Sequence, residues 1–184
     1  MELEKRLSAF AIEQLQKAYE YCGSEGTIHF YNYWEQNVLQ YCILKVIIYK
    51  EQQEVEKELK IYDQFLKSLN DNPNLVKTLK VIHLRDLKLI CILMQKCNIN
   101  LQDYMRKSLT FNSILIFFHQ FLNGYQSLYQ SRVVHRDIKP ENILVYFQNN
   151  QPIYKISDFG VSKICHFYFN TQSQVGTAQY TAPE

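Results

Sequence analysis

Several features that identify other protein classes are missing or scarce in this sequence. Its 5 cysteines include no CxxC pair and no histidine at zinc-ligand spacing, which argues against a zinc site and favours reduced thiols. No apolar run approaches the roughly 20 residues that a membrane-spanning helix needs, and the longest candidate, 42–49, is interrupted by Lys45. The first ten residues, MELEKRLSAF, carry charges of both signs, so they do not resemble a signal peptide.

The chain also lacks a large excess of charge of either sign. The 20 basic residues exceed the 18 acidic ones by only 2, and they are scattered along the chain rather than clustered. Such a weak charge does not favour nucleic acid or an anionic membrane as a partner. A hydrophobic content of 47% over 184 residues is typical of one folded globular domain. With the reduced cysteines, these features predict a protein of the cytosol or the nucleus, with no membrane span and no nucleic-acid partner.

The hydrophobic periodicity predicts two unlike halves. Strands with one amphipathic helix come first, helices follow, and a short β-hairpin comes after them. That order is typical of an α+β fold. In chain order, the predicted elements are a helix over 3–19, strands over 27–33 and 41–49, a helix over 51–69, a break at 70–74, strands over 75–83 and 88–94, helices within 101–129, and a hairpin of 143–147 and 153–157 around a turn at 148–152.

Three motifs in the second half carry the chemical information. Residues 135–142 read HRDIKPEN, residues 158–160 read DFG, and residues 176–184 read GTAQYTAPE. A DFG tripeptide alone recurs by chance, but the three motifs in this order form a mutually consistent set. On these residues the sequence resembles the eukaryotic protein kinase family, of the serine/threonine type. The resemblance covers nearly the whole chain and ends with the APE motif.

The resemblance implies a two-lobed, protein-kinase-like fold. The N-lobe would occupy about 20–94, and the first part of the C-lobe would occupy 95–184. The helical C-lobe would be incomplete, because in the family further helices follow APE. We therefore expect exposed apolar surface on the helix before HRDIKPEN, and an isolated chain that is unstable or sticky. The apolar residues concerned are Phe111, Ile114, Leu115, Phe117, Phe118 and Phe121.

Phosphoryl transfer depends on positioning and on neutralising phosphate charge. A carboxylate must orient the attacking hydroxyl, and oxygen ligands must hold magnesium, a hard cation. The resemblance gives the first role to Asp137 and the magnesium to Asn142 and Asp158. Lys139 matches a lysine that contacts the transferred phosphate, and Thr177 matches a threonine that shapes the substrate groove beside the catalytic aspartate. This pair favours serine or threonine of a protein substrate over tyrosine.

The resemblance also assigns the ATP site. Lys45 matches the strand lysine that binds the α- and β-phosphates. Met94, Gln95 and Cys97 match the gatekeeper and the hinge, where adenine bonds to backbone groups. The other ATP-binding positions implied by the family pattern are Gly23, Gly26, Ile28 and Leu144.

Two departures from the family pattern fall in the nucleotide region. Residues 21–28 keep only the second and third glycines of the phosphate loop, and Tyr21 replaces the first; glycine matters there because backbone amides must approach phosphate closely. Ile43 replaces a small alanine that stacks on adenine, which predicts a tighter pocket. Beside an ATP- and magnesium-dependent kinase, a second hypothesis therefore stands: a pseudokinase or truncated fragment that acts as a non-catalytic binding module.

The acidic partner of Lys45 on the predicted helix is open. Glu58 fits the local family pattern, but it lies only 13 positions after Lys45. Asp63 has the more typical separation on a shorter side chain. Glu58 is favoured as the ion-pair partner, and the alternative is a solvated helix charge.

A phosphorylation site is predicted in the loop 161–181. Arg136, beside the catalytic aspartate, matches an arginine that receives a phosphate from this loop in the family. Ser173, three residues before Gly176, is the predicted site, and Thr171 is the second choice. An unmodified loop serine is the alternative.

Overall fold

The computed structural model forms two compact units, Met1–Val55 with Thr78–Lys96 and Glu56–Lys77 with Cys97–Glu184. Among the described residues, no helix combines the length and the hydropathy that crossing a bilayer requires. The structure describes residues 2–8, 16–23, 26–35, 38–50, 52–64, 68–106, 110–160, 162–164 and 177–180.

The first unit is built on a five-stranded antiparallel sheet with the strand order β1-β2-β3-β5-β4. Its strands are rich in isoleucine, valine and tyrosine, which suit a pleated, half-buried surface. The helix α1, Glu2–Ser8, precedes the sheet in the chain. The strands are β1 Gln16–Gly23, β2 Gly26–Glu35, β3 Val38–Ile48, β4 Thr78–Leu84 and β5 Leu89–Gln95.

The two faces of this sheet differ, because successive strand residues point to opposite sides. On β3, Cys42, Leu44 and Val46 are buried with Leu7 of α1 in one apolar cluster. The intervening Lys45 therefore belongs to the opposite face, opposite Ile28 on β2 and Ile92 on β5 in the strand register. The predicted phosphate-binding lysine thus lies on the face that α1 does not cover.

The second unit combines short strands with helices. Its three-stranded sheet has the order β6-β8-β9, and β7 pairs with β10 in a separate ladder. The helix α2, Gln52–Gln64, enters this unit with most of its length. The remaining elements are β6 Ile99–Asn100, α3 Leu101–Tyr104, α4 Phe111–Gln130, β7 Val133–Val134, β8 Ile143–Gln148, β9 Gln151–Ile156 and β10 Lys163–Ile164.

The long helix α4 begins at a side-chain cap. Thr110 accepts a hydrogen bond from the Ser113 backbone N–H at 3.2 Å, which satisfies one of the free amides of the first turn. No residue of α4 is acidic or basic apart from His119. The expected exposure is confirmed for four of its predicted apolar residues, whereas Phe117 and Phe121 are partly buried against the core of the unit. The exposed four are Phe111, Ile114, Leu115 and Phe118.

A polar network fixes the segment before β4 to α4. The Asn74 amide nitrogen donates to Tyr154 O at 2.9 Å and to Gln120 Oε1 at 3.1 Å. Asn123 donates to Asn74 Oδ1 at 2.7 Å. Gly124 allows this approach, because a Cβ there would lie 2.7 Å from the Asn74 carbonyl oxygen. The buried amide of Asn74 is thus fully used, as burial of a polar group requires.

One predicted element is confirmed at its start and wrong at its end. The helix predicted over 3–19 is found over Glu2–Ser8, but 16–19 belong to the strand Gln16–Gly23, which pairs with β2. The residues 9–15 lie outside the described part. Tyrosines at 19 and 21 favour a strand, and the pairing with β2 overrides the helical spacing of the leucines before them. The other predicted strands and helices are found, with shifted ends.

The hairpin of β8 and β9 is confirmed, but its turn is shorter than predicted. Only Asn149 and Asn150 connect the strands, and both have positive φ, 50° and 61°. Two-residue hairpin turns of this kind match the right-handed twist of the strands. Asparagine is tolerated at positive φ better than most residues, which explains why this pair can turn the chain without glycine.

Candidate active site

The HRDIKPEN segment is a loop held at both ends by strands. It starts after β7, which pairs with β10, and it ends in a short 3-10 turn, Pro140–Asn142, directly before β8. Proline suits the first position of such a turn because its φ is already set and its missing N–H has no partner to lose. The loop therefore presents its side chains from a fixed backbone.

Asp137 accepts hydrogen bonds on both carboxylate oxygens. Thr177 donates to Oδ1 from its hydroxyl at 2.7 Å and from its backbone N–H at 2.9 Å. Lys139 Nζ lies 2.9 Å from Oδ2, and Asn142 Nδ2 donates to the same oxygen at 2.8 Å. Lys139 also donates to the Thr177 hydroxyl oxygen at 2.8 Å. Four residues predicted from the sequence thus form one bonded group.

These contacts decide the charge state of Asp137. Burial alone raises the pKa of this carboxyl group. The hydrogen bonds from Lys139 and Thr177, the charge of Lys139 and the hydrogen bond from Asn142 outweigh the burial, and they hold the pKa below its ordinary value. The carboxylate is therefore ionised at neutral pH and can attract a hydroxyl proton.

The buried side chain of His135 connects the loop to Ser157 and to the backbone of Asp137. Its Nε2 lies 2.8 Å from the Ser157 carbonyl oxygen, and its Nδ1 lies 3.3 Å from the backbone N of Asp137. Both contacts are hydrogen bonds only if Nε2 carries the proton and Nδ1 accepts, which is the neutral imidazole. Burial accordingly lowers the pKa of His135, against the raising effects of the Ser157 hydrogen bond and of the Asp158 and Asp137 charges.

Asn142 and the DFG segment are joined through Ser157. The Asn142 carbonyl accepts from the backbone N–H of Ser157 at 2.9 Å and from its hydroxyl at 2.8 Å. Asp158 follows directly, with a positive φ of 61°. The ring of Phe159 is buried, with an edge-to-face contact to His135 at 5.1 Å between centroids. The two predicted metal-binding residues thus belong to neighbouring, hydrogen-bonded segments.

The donor set suits a hard divalent cation. Asn142 uses its amide nitrogen on Asp137, so its amide oxygen would be the atom that binds a cation, and Asp158 would add a carboxylate. Within the described residues, no group of three or more His, Cys, Asp or Glu forms a metal cage. Magnesium commonly takes one or two protein oxygens and completes its shell with phosphate and water. The residues present therefore fit such an ion.

The predicted ATP-binding residues are divided between the two units. Lys45 is 7% exposed on β3, and Ile43 faces Met94 in the register of β3 and β5. Gly23 and Gly26 pair with each other at the end of the β1–β2 ladder. In the second unit, Leu144 of β8 pairs with Asn100 and Lys155. Cys97 precedes β6, and burial raises the pKa of its thiol to about 11.

Some predicted residues lie outside the described part of the chain. The backbone of Glu58 belongs to α2, but its side chain is not described, and neither is that of Ile28 or Tyr21. Ser173 and Thr171 are not described at all. Asp63, the alternative partner for Lys45, is exposed on α2. The ion pair of Lys45 and the phosphorylation site therefore stay predictions.

Two residues of the site were missed by sequence reasoning. His135 begins the HRDIKPEN string and Ser157 directly precedes DFG, but only the bonded geometry reveals that they connect Asp137 to Asn142. Glu141 Oε2 is buried without a hydrogen-bond partner among the described residues. For His135 and Ser157, a polar residue in or beside a motif was the only signal in the sequence, and such a signal does not identify the bonding partner.

An ionised carboxylate, a lysine and an oriented amide on one rigid loop suit phosphoryl transfer. The loop follows an antiparallel sheet with a buried lysine and precedes a segment that positions a second carboxylate. Fold and loop together define the class, which is that of the protein kinase domains. The family described as "Protein kinase domain" matches residues 22–184, and the chain therefore belongs to the protein kinase family.

Comparisons with single proteins agree. The chain is 34% identical over 88% of its length to the serine/threonine-protein kinase pakG of Dictyostelium discoideum. It is 30% identical over 99% of its length to the serine/threonine-protein kinase atg1 of the same organism, and 34% identical over 78% to an Aurora kinase of Saccharomyces cerevisiae. The matched parts are only 13%, 26% and 39% of these relatives. Family membership implies phosphoryl transfer, ATP and a divalent cation.

Proposed function

We propose that the chain carries the catalytic loop of a kinase that transfers phosphate from ATP to serine or threonine of proteins. The observation that carries the proposal is the bonded group of Asp137, Lys139, Asn142 and Thr177. Two relatives that are named serine/threonine-protein kinases support the substrate class. Lys139 beside Thr177 supports it as well, since both side chains border the carboxylate that would meet the hydroxyl.

Each residue has a distinct part in the proposed reaction. Asp137 orients the substrate hydroxyl, and it can accept a hydrogen bond from this group because its lowered pKa keeps the carboxyl group ionised. Lys139 donates toward the transferred phosphate, and Thr177 fixes both of them. Asn142 and Asp158 would hold magnesium, whose charge offsets that of the phosphates when it is bound. Lys45 would contact the α- and β-phosphates, and the backbone at Met94–Cys97 would bind adenine.

The binding-module hypothesis rests on Ile43. This side chain is half-buried and shares a sheet face with Lys45 and Met94. Its bulk would reduce the space for adenine beside this face. A narrower pocket predicts weaker nucleotide binding rather than altered chemistry at Asp137. Nucleotide affinity and phosphate transfer must therefore be measured separately.

The proposal is tested with the chain and two variants. Thermal melting is followed with ATP alone and with ATP plus magnesium, and phosphate transfer is measured on a serine/threonine peptide library. We expect a magnesium-dependent shift that Asp158→Asn removes. Asp137→Asn should retain the shift but lose about 10²- to 10⁴-fold in transfer rate. The absence of any magnesium-dependent shift would leave only the binding module, and transfer that survives Asp137→Asn would refute the assigned role.

A regulatory proposal concerns the loop after DFG. Arg136 is half-buried beside Asp137 with a positive φ of 68°. We propose that phosphate on Ser173, or on Thr171 as the second choice, pairs with this arginine and orders the loop. Phosphopeptide mapping of active protein should find one of the two modified. Active protein that carries neither modification would refute the proposal.

A further inference from the structure

One face of the five-stranded sheet is covered by α1, the short helix at the start of the chain. Leu7 is only 3% exposed, and Leu3 is partly buried on the same cluster. We call the covered surface the α1 face; it consists of the apolar residues of β3, β4 and β5 that pack under this helix, with Cys42, Leu44, Ile82, Cys91 and Leu93 at its centre.

A polar contact fixes the register of α1 on this face. Arg6 Nη2 lies 2.7 Å from Asp86 Oδ2, and Asp86 belongs to the 3-10 turn between β4 and β5. The side chains are 49% and 52% exposed, so solvent screens the pair and its strength is modest. Leu3 and Leu7, four residues apart, lie on one side of the helix. The helix α1 thus contacts the face through two leucines, Leu3 and Leu7, and through the basic Arg6 between them in the sequence.

The helix α1 needs its packing against the sheet in order to stay folded. With 7 residues, α1 makes about two turns, and helices that short do not persist in water without tertiary packing. Docking and helix formation are therefore coupled, and a released α1 would lose its helical structure. A face that holds its ligand in this way is accessible to another segment of the same chemistry.

We propose that the α1 face is a docking surface for a short amphipathic helix with leucines at positions i and i+4 and a basic residue between them, and that α1 occupies it within the chain. The acidic Asp86 at the edge of the face selects a basic helix, and the apolar centre selects the leucines. No kinase activity is needed for this binding.

Docking also supports the strand that carries Lys45. Leu44 and Val46 belong to the same apolar cluster as Leu7 of α1, and Lys45 lies between them on the opposite face of β3. The release of α1 therefore loosens β3 and weakens binding of the phosphates by Lys45. This step rests on the proposed function, whereas the docking itself does not.

Charge reversal in the full chain tests the docking geometry. Arg6→Asp places two carboxylates together and should reduce amide hydrogen-exchange protection of residues 2–8 by about three- to tenfold. Asp86→Arg in the same chain should restore the protection. Lys5→Asp makes the same change of charge one position away and serves as the control, because Asp86→Arg should not rescue it. Equal rescue of both variants, or no loss in Arg6→Asp, would overturn the proposed register.

A labelled peptide of residues 1–12 tests the surface directly. In the full chain with Leu7→Lys, α1 is released and the peptide should bind, as measured by fluorescence anisotropy. The unmodified chain should bind at least about tenfold more weakly, since the burial of one leucine is worth that factor or more. If Leu7→Lys does not fold, Arg6→Asp provides a form with partly released α1, in which the gain in peptide binding should be smaller. Equal affinity for released and unmodified chains, or no binding to either, would overturn the proposal.

The coupling to ATP is measured on the same variants. We expect a KM for ATP raised about three- to tenfold in Arg6→Asp, and a return to normal in the Arg6→Asp, Asp86→Arg double variant. An unchanged KM in a chain whose α1 has lost its protection would refute the coupling. A chain without any activity would count against the proposed function, and the peptide measurement would still decide the docking.

Discussion

At the scale of single residues, Thr177 adds a second link between Lys139 and Asp137, which also form a direct ion pair. Its hydroxyl accepts a hydrogen bond from Lys139 and donates one to Asp137, so a single oxygen orders a cation and an anion. The hydroxyl can serve both only because it donates and accepts at once. A methyl group in the same place would leave the lysine and the carboxylate with fewer partners.

We expect Thr177→Val to lower kcat by about 10- to 100-fold, because a hydrogen bond to a charged group is lost from the reacting carboxylate. Thr177→Ser keeps the hydroxyl and should stay within about threefold of the unmodified chain. Steady-state kinetics with both variants provide the test. A loss of equal size in the serine variant would show that the methyl group, rather than the hydroxyl, is needed.

His135 makes stability depend on pH. Its pKa is lowered in the folded chain from an ordinary value of 6.5, so below that pH the unfolded chain binds more protons. The stability that His135 contributes is complete above pH 6.5 and falls as the pH drops toward the lowered pKa, by up to about 1.4 kcal/mol per pH unit. Urea unfolding at pH 5 and 7 measures this difference.

The matched variants separate His135 from the other histidines. His135→Gln should reduce the difference between the free energies of unfolding at the two pH values. His119→Gln, on the exposed side of α4, should leave it unchanged. An unaltered pH dependence in His135→Gln would contradict the neutral, buried imidazole.

The sequence predicted the members of the site better than their contacts. Asp137, Asn142 and Asp158 were predicted because strings of fixed order reveal chemistry without geometry. The bond from Asn142 to the Asp137 carboxylate and the bridge through Ser157 could not be predicted, because they depend on where two loops meet. Contacts of this kind arise from tertiary packing and leave no periodic signal.

At the scale of elements, the closest approach between two backbones explains one glycine. Gly124 lies where a Cβ would be 2.7 Å from the Asn74 carbonyl oxygen and 3.2 Å from its Cβ. Helix propensity alone would favour alanine by about 1 kcal/mol. The contact reverses that preference, because the obstructing atom is backbone and is held by its bond to Ile156 N.

We therefore expect Gly124→Ala to destabilise the chain by about 1–3 kcal/mol. Gln126→Ala, at an exposed position of the same helix, is the control and should be neutral or slightly stabilising. Chemical denaturation of both variants provides the comparison. A stabilised Gly124→Ala would mean that α4 and the Asn74 segment can move apart without cost.

Local patterns predicted the elements wherever the pattern and the pairing agreed. Strands β2 to β5 and the β8–β9 hairpin were predicted because their residues favour strands and also pair as strands. Strand β1 was missed because its first residues continue the spacing of α1, and only the ladder with β2 decides its state. The length of the turn at Asn149–Asn150 was overestimated, because the neighbouring residues include glutamines, which also occur in turns.

At the scale of the whole molecule, the apolar side of α4 controls behaviour in solution. The helix has no acidic or basic residue apart from His119, and the formal net charge of the chain is only +2. Exposed apolar surface with little net charge promotes association. The apolar side chains that contribute most are Phe111, Leu115, Phe118, Leu122 and Tyr129.

We expect Leu115→Lys with Phe118→Glu to reduce concentration-dependent association and to change stability by less than about 0.5 kcal/mol, since both side chains are exposed. Light scattering over a concentration series measures the first quantity, and thermal melting measures the second. Phe121→Lys is the control: its ring is partly buried, so this variant should melt earlier. Unchanged association in the double variant would place the sticky surface elsewhere.

The backbone torsion of Asp158 has a consequence for switching. A positive φ costs a residue with a side chain about 1–2 kcal/mol, and the packing of Phe159 against His135 and the cluster that contains Ile61 of α2 holds it in place. The packing of the Phe159 ring therefore holds the N–Cα torsion of Asp158 in an unfavourable conformation. Phe159→Ala should abolish the magnesium-dependent melting shift while Phe159→Met keeps it. A shift of α2 that frees this ring would therefore let the Asp158 backbone leave its positive φ, and the carboxylate that we propose as a magnesium ligand would turn with it, without unfolding any strand.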